Sequence, residues 1–252
     1  MKSLMVAFLL VSSIAYSQDA REIMNRYLDT VSNGNIENWN KIKSMYTESE
    51  SYYSQQDFDQ KVNFYKTDKP SFHKHYTFPP YGSRNELYSD STFSELQSTF
   101  YFLKDKTIII LGKSPPIINK NARKPSEFSS IHTPVFISNL VNKSSAIEMM
   151  GIKEFPLDGT WCYQIKVTTK GRNYYFYINT ETYLMDYWTV NQEEDLNSLV
   201  KYYNYKRIGD FLMPMSYSAM RNGFVYNWTN HRKIELNPEI DPDIFIYKGE
   251  RE

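Results

Sequence analysis

Histidine is the side chain best suited to bind a metal or move a proton near neutral pH, and this chain places two of its four, His73 and His75, at i and i+2. In an extended strand that spacing puts both imidazoles on one face, where they could share an ion. The other two, His132 and His231, are distant in sequence, and no Cys or carboxylate falls at ligand spacing. The pair therefore reads as a solvent-facing strand pair, with no metal expected. Paired carboxylates of the kind a glycosidase needs occur at Asp57/Asp59 and Glu193-Glu194-Asp195, but both clusters sit among turn-forming residues, where solvated charge explains them. The serine-rich segments Ser49 to Ser54 and Ser126 to Ser130 have no base nearby and read as polar strand edge and loop. The chain has no nucleophile elbow, H-E-x-x-H helix or glycine-rich phosphate loop. No catalytic residue and no cofactor is expected, so the protein is read as non-enzymatic.

The single cysteine, Cys162, lies in an alternating strand pattern with no neighbouring cation to lower its pKa, which suits a buried, inert thiol. Lys+Arg and Asp+Glu are equal at 29 each and spread without long blocks, which excludes the electrostatic footprint of a nucleic-acid binder. At the N-terminus, Lys2 precedes an apolar run from Leu4 to Val11 and then Ala15-Tyr16-Ser17. This is the order of a signal peptide, and the run is well short of the ~20 residues that span a bilayer. Cleavage after Ser17 and a periplasmic location are expected, with residues 1–17 as signal peptide and 18–252 as one domain.

These features need elements to position them, and the chain supplies mostly strands. Ala20, Ile23, Met24, Tyr27, Leu28 and Val31 recur at helical spacing, with Asp19 placed to cap and Asn33-Gly34 to stop an amphipathic helix. Thr133-Pro134 opens a second short helix through Val135, Phe136, Ile137, Leu140 and Val141, with another expected from Ser145 to Met150. Alternating or β-rich runs cover 43–53, 61–66, 72–78, 85–88, 99–104 and 107–111, separated by turn clusters such as Pro79-Pro80-Tyr81-Gly82. A proline-punctuated stretch from Ser114 to Ser126 reads as a loop crossing between two groups of strands. The second group runs 161–168, 173–178, 183–190, 199–207, 211–219 and 224–234, joined by turns short enough to require antiparallel neighbours. The expected fold is mainly β (α+β), a single large curved antiparallel sheet or half-open β-barrel wrapped around a few helices.

Several segments carry a family resemblance. Gly151 to Val190, with its Leu157-Asp158-Gly159 turn and the strand Cys162-Tyr163-Gln164-Ile165-Lys166-Val167, resembles the periplasmic lipoprotein-sorting carriers of the LolA/LolB type and their Bacteroidetes relatives. Tyr205 to Pro214, Ile234 to Phe245 and the first helix, Ala20 to Leu28, are similar to further pieces of that family. The resemblance implies a half-open barrel with a helical lid over an apolar cavity that shelters acyl chains. None of the family's own contact residues aligns with a numbered position here.

Aromatic residues and methionines on alternating strand positions are the candidates to line such a cavity. They are Trp161, Tyr163 and Ile165; Tyr174 and Phe176; Met185 and Tyr187; Met213 and Met215; and Phe224, Tyr226 and Trp228. Phe136, Ile137 and Leu140 are the lid candidates. The expected partners are a hydrophobic ligand or a lipidated protein, an envelope protein, and the membrane in transient contact. The rival reading is a structural or protein-interaction module of the envelope whose core is filled.

Overall fold

The computed structural model describes residues 20–55, 65–66, 70–78, 82–120, 134–144, 146–155, 158–169, 171–190, 199–221 and 224–247. Residues 1–17, expected to be a signal peptide, Asp19, the carboxylate clusters at 57/59 and 193–195, and the segment 126–133 lie outside the described residues.

The first group of strands is β1 (Met45–Gln55), β2 (Tyr65–Lys66), β3 (Ser71–Phe78), β4 (Gly82–Tyr88), β5 (Leu96–Phe102), β6 (Thr107–Leu111) and β7 (Ile117–Asn119). The second is β8 (Ala146–Glu154), β9 (Trp161–Thr169), β10 (Arg172–Asn179), β11 (Met185–Val190), β12 (Leu199–Ile208), β13 (Phe211–Arg221) and β14 (Phe224–Leu236). All join one antiparallel sheet ordered β7-β6-β5-β4-β3-β1-β14-β13-β12-β11-β10-β9-β8, with β2 paired to β1. Two meanders of short-range hairpins thus meet where β1 pairs with both β3 and β14. The mainly β, curved-sheet architecture agrees with the sequence reading, and most strand limits fall within two residues of it.

Two helices cover one face of the second meander, here the inner face. Helix α1 (Ala20–Ser32) buries Ile23, Met24, Tyr27, Leu28 and Val31, the stripe its 3.6-residue period requires. It stops where Asn33 and Gly34 take positive φ of 56° and 77°, and the Gly34 N–H bonds the Asp29 carbonyl at 2.8 Å. Helix α2 (Pro134–Lys143) adds Ile137, Leu140 and Val141, and both stripes pack on Ile165, Val167, Phe176, Ile178 and Met185, each fully or almost fully buried. A 3-10 turn at Ile36–Lys41 extends this layer, stacking Trp39 on Phe211 with centroids 4.0 Å apart in a smaller cluster with Ile42, Met45, Met213 and Ile234.

The helix expected from Ser145 to Met150 is instead the edge strand β8. Six residues are too few to nucleate a helix alone, whereas the open edge of β9 offers backbone partners from Ala146 to Glu154. Gly151 at φ 128° sits at the irregularity where the pairing shifts register. The stretch from Ser114 also contains a short strand, β7, which was read as loop.

The opposite, outer face of the second meander carries its own small core: Phe155, Cys162, Tyr175, Tyr177, Tyr187, Leu199 and Met220. Phe155 stacks on Tyr187 at 3.6 Å. The following turn is tied down by Asp158, which accepts from the Tyr187 hydroxyl at 2.5 Å and from Lys201 at 2.5 Å. Burial opposes ionisation of Asp158, but the bonds from Lys201, Tyr187 and Thr160 outweigh it and hold the carboxyl at about 2. Burial, with Asp186 close by, pushes the Cys162 thiol up to about 12, in keeping with an inert buried cysteine.

Candidate functional site: the open half of the inner face

The helices leave the inner face of the first meander uncovered by α1 or α2, and a pocket of about 180 Å³ opens where the two meanders join. Strand β1 runs through its middle, turning Met45, Thr47, Ser49, Ser51 and Tyr53 toward it by simple alternation. Strand β3 contributes His73 and His75, β4 Asn85, β13 Met213, Pro214 and Tyr217, and β14 His231 and Ile234. The last pair lies three apart, a spacing that an unbroken strand would place on opposite faces. The β1/β14 pairing steps from Glu48↔Lys233 to Ser49↔His231, so β14 carries one extra residue there and both side chains reach the same side.

Among the described residues no Asp, Glu, Lys or Arg lines this pocket. Its polarity comes from hydroxyls, an amide and three imidazoles. Ser71 Oγ lies 3.0 Å from His73 Nε2, Thr77 Oγ1 lies 3.4 Å from His75 Nε2, and Ser51 and Thr229 share a hydrogen bond of 2.8 Å. His231 Nδ1 and Asn85 Oδ1 are buried without a well-aligned partner. With no anion to stabilise the imidazolium, burial drives His75 down to about 4, helped by the repulsion of a charged His73. His231 falls to about 4 for the same reason, with His75 as its charged neighbour, and burial lowers His73 as well. All three rings are therefore neutral at pH 7. Among the described residues no group of His, Cys, Asp or Glu is arranged to hold a metal ion.

Cross-strand register extends the site away from this polar end. One row runs Ile234, Thr47, His75, Asn85, Phe100, Ile109 and Ile117 across seven neighbouring strands. Directly paired residues share a face, so the row passes from the imidazole pocket onto bare apolar floor. Parallel rows add Leu87 and Leu111 on one side and Phe102 on the other. Ile117 is 57% exposed, Leu111 47% and Phe102 37%, which is unusual for residues on the inside of a curved sheet.

The twelve cavity candidates from the sequence do not gather at this place. Ile165, Tyr174, Phe176 and Met185 lie in the packed layer under the helices, with Tyr163 against its margin. Tyr187 belongs to the outer-face core, and Trp161 is 53% exposed at the start of β9. Met213 lines the pocket, and Met215 packs beside it against the Trp39 cluster. In β14 the pattern is inverted. The polar Asn227 and Thr229 are buried while Tyr226 is exposed, and Trp228 lies tilted against Tyr203 with centroids 4.8 Å apart and donates its indole N–H to Asn230. Phe224 begins that strand. Of the lid candidates, Ile137 and Leu140 are buried in the core, and Phe136 packs edge-on against Tyr174 at 5.9 Å.

Two expectations are corrected. His73 and His75 are not solvent-facing: they are partly buried in the pocket, because β3 lies inside the sheet and not at its rim. Ser49 and Ser51 are not edge residues, since β1 is a central strand and both are buried. The sequence reading missed His231 because the extra residue in β14 breaks the period-2 pattern, and missed Thr47, Ser49 and Asn85 because neutral polar side chains on a strand look solvated.

No family model and no curated protein matches the sequence. Solved structures do match its fold. A DUF1329 family protein from Desulfovibrio piger superposes with a TM-score of 0.55 at 13% identity, covering 91% of this chain and 97% of its own. A LolA superfamily protein from Nitrosomonas europaea gives 0.53 at 10% identity, covering 91% and 98%. This chain has a LolA-like fold. A third structure, a domain from Vibrio parahaemolyticus named for outer membrane lipoprotein sorting, gives 0.54 at 11% identity over 89% and 95%. Within the LolA-like frame, this chain fills the inner face of its second meander with α1 and α2, and among the described residues no helix covers the inner face of its first meander.

Proposed function

We propose that the protein is a non-enzymatic carrier or binding protein of the periplasm. In this reading it is exported by cleavage after Ser17, acts as one domain over residues 18–252, and holds a lipoprotein acyl chain or another hydrophobic ligand. The observation that carries the reading is the open apolar floor of Phe100, Ile109 and Ile117 on the inside of a curved sheet. Burying such surface contributes about 25 cal/mol per Å², enough to draw an alkyl chain from water while leaving it free to be passed on. Kinship with the Bacteroidetes-type sorting carriers is part of the same proposal, as are a lipidated or envelope protein as partner and transient contact with the membrane.

The lid belongs to the proposal in a modified form. Moving α2, which packs on β9 and sets Phe136 against Tyr174, would uncover Ile165 and Tyr174 and so enlarge the site toward the candidates named from the sequence. That movement exposes Ile137, Leu140 and Val141 at a cost of several kcal/mol, so the ligand occupies the open half first. The second reading, an envelope scaffold, draws on the filled layer beneath the helices.

Titration of a fluorescent long-chain fatty acid into purified residues 18–252 separates the two. A carrier gives saturable binding, and the double variant Ile109→Asp/Ile117→Asp weakens it at least about tenfold, because an ionised carboxylate beside an alkyl chain must be desolvated. A scaffold gives no saturable signal with either protein.

A further inference from the structure

The pocket at the polar end of the row has a composition that an all-apolar ligand does not explain. Beside Met45, Met213, Pro214 and Ile234 its lining holds hydroxyls, three imidazoles and one amide from five strands; of these side chains' buried polar atoms His231 Nδ1 has no hydrogen-bond partner, and the Asn85 amide has only a poorly aligned one in the His73 ring. A buried polar atom left unpaired is costly, and such atoms facing a cavity are satisfied by whatever enters it. The pocket is continuous in register with the apolar floor, through His75, Asn85 and Phe100.

We infer that this pocket receives the uncharged, hydroxyl- or amide-bearing head of an amphiphile whose alkyl part lies along Phe100, Ile109 and Ile117. The inference rests on the carrier reading and adds the ligand's head-group chemistry to it. The charge assignment follows from what surrounds the site. Among the described lining residues a cationic head would find no carboxylate, and an anionic head would find no Lys or Arg. A neutral head that both donates and accepts hydrogen bonds matches the unpartnered His231 imidazole nitrogen and the weakly engaged Asn85 amide at once, with the hydroxyls of Thr47, Ser49 and Ser51 beside them. Tyr217, whose ring lies 5.8 Å from that of His231, closes one wall. From β3 to β7 the floor spans four strand spacings, about 19 Å, the length of an extended long alkyl chain.

Three probes with one dodecyl chain test this by calorimetry at pH 7.5, each below its micelle concentration: dodecyl maltoside, laurate and dodecyltrimethylammonium. The expected result is that the maltoside binds about tenfold or more tightly than either charged probe, and that His231→Phe removes most of that preference while leaving the charged probes within about twofold. Asn85→Leu, which keeps the size of the side chain, serves as the second variant and is expected to act in the same direction. Equal affinity for all three heads, or a preference untouched by both variants, overturns the head-group inference and leaves the carrier reading standing. Failure of every dodecyl probe to bind overturns both.

Discussion

Acidification from pH 7 to pH 4 removes several kcal/mol of folding stability, and most of that loss vanishes in a His75→Gln/His231→Gln variant. The sign follows from the pocket. Both imidazoles are held near 4 in the folded protein by burial first and then by a neighbouring imidazole, His73 for His75 and His75 for His231, whereas in the unfolded chain they titrate near 6.5. Above pH 6.5 both states carry neutral rings and the full stability is present. Between 6.5 and 4 only the unfolded chain takes up protons, so stability falls, and below 4 the loss is complete. A gap of this size is worth on the order of 3 kcal/mol for one such site. The groups facing the two rings are His73, Thr47, Ser49, Ser51, Asn85 and Tyr217, none of which supplies a negative charge at these pH values. Asp158 contributes in a separate window: its folded value near 2 lies below its unfolded 3.8, so its contribution is lost only below pH 3.8. Urea unfolding at half-unit pH steps resolves the two windows, and the double variant is expected to flatten only the upper one.

Replacing Phe176 by Ala is expected to destabilise the protein by about 3–5 kcal/mol, since the ring is fully buried between β9, β11 and the helices and its loss leaves a cavity in a packed layer. Ile117→Ser at the open edge is expected to change stability by less than about 0.5 kcal/mol, because more than half of that side chain already meets water. Chemical denaturation of the two variants checks the division of the inner face into a filled half and an open half. A small effect at Phe176 would mean that the layer beneath the helices is not packed as described.

Much of this architecture could be read from the chain itself. Strands such as Trp161–Thr169 and Thr107–Leu111 announce themselves by alternation or β-branched content, and α1 by a six-residue apolar stripe ended at Asn33-Gly34. The segment from Ser145 was misjudged because its fate depends on the free edge of β9, a partner that local sequence does not reveal. The cavity candidates are dispersed over the fold for a related reason. Periodicity tells which residues share a face but not what covers that face, so Phe176 and Met185 looked equally suited to line a cavity or to fill a core. The helices decide the matter, and they sit on the second meander. In β14, burial of Asn227 and Thr229 in preference to Tyr226 follows from a hydrogen-bond chain with Ser51 that only the β1 pairing creates. The imidazole pocket needs five separate strands and an extra residue in β14 to assemble, and no single stretch of sequence carries that information.

Photo-crosslinking with a long-chain fatty acid bearing a diazirine at its methyl end, followed by peptide mass spectrometry, tests the location of the site most directly. The account predicts label on Leu96–Phe102, Thr107–Leu111 and Ile117–Asn119, competed away by unlabelled fatty acid. Label confined to Ala20–Ser32, Trp161–Thr169 and Arg172–Asn179 would place the ligand beneath the helices and contradict it.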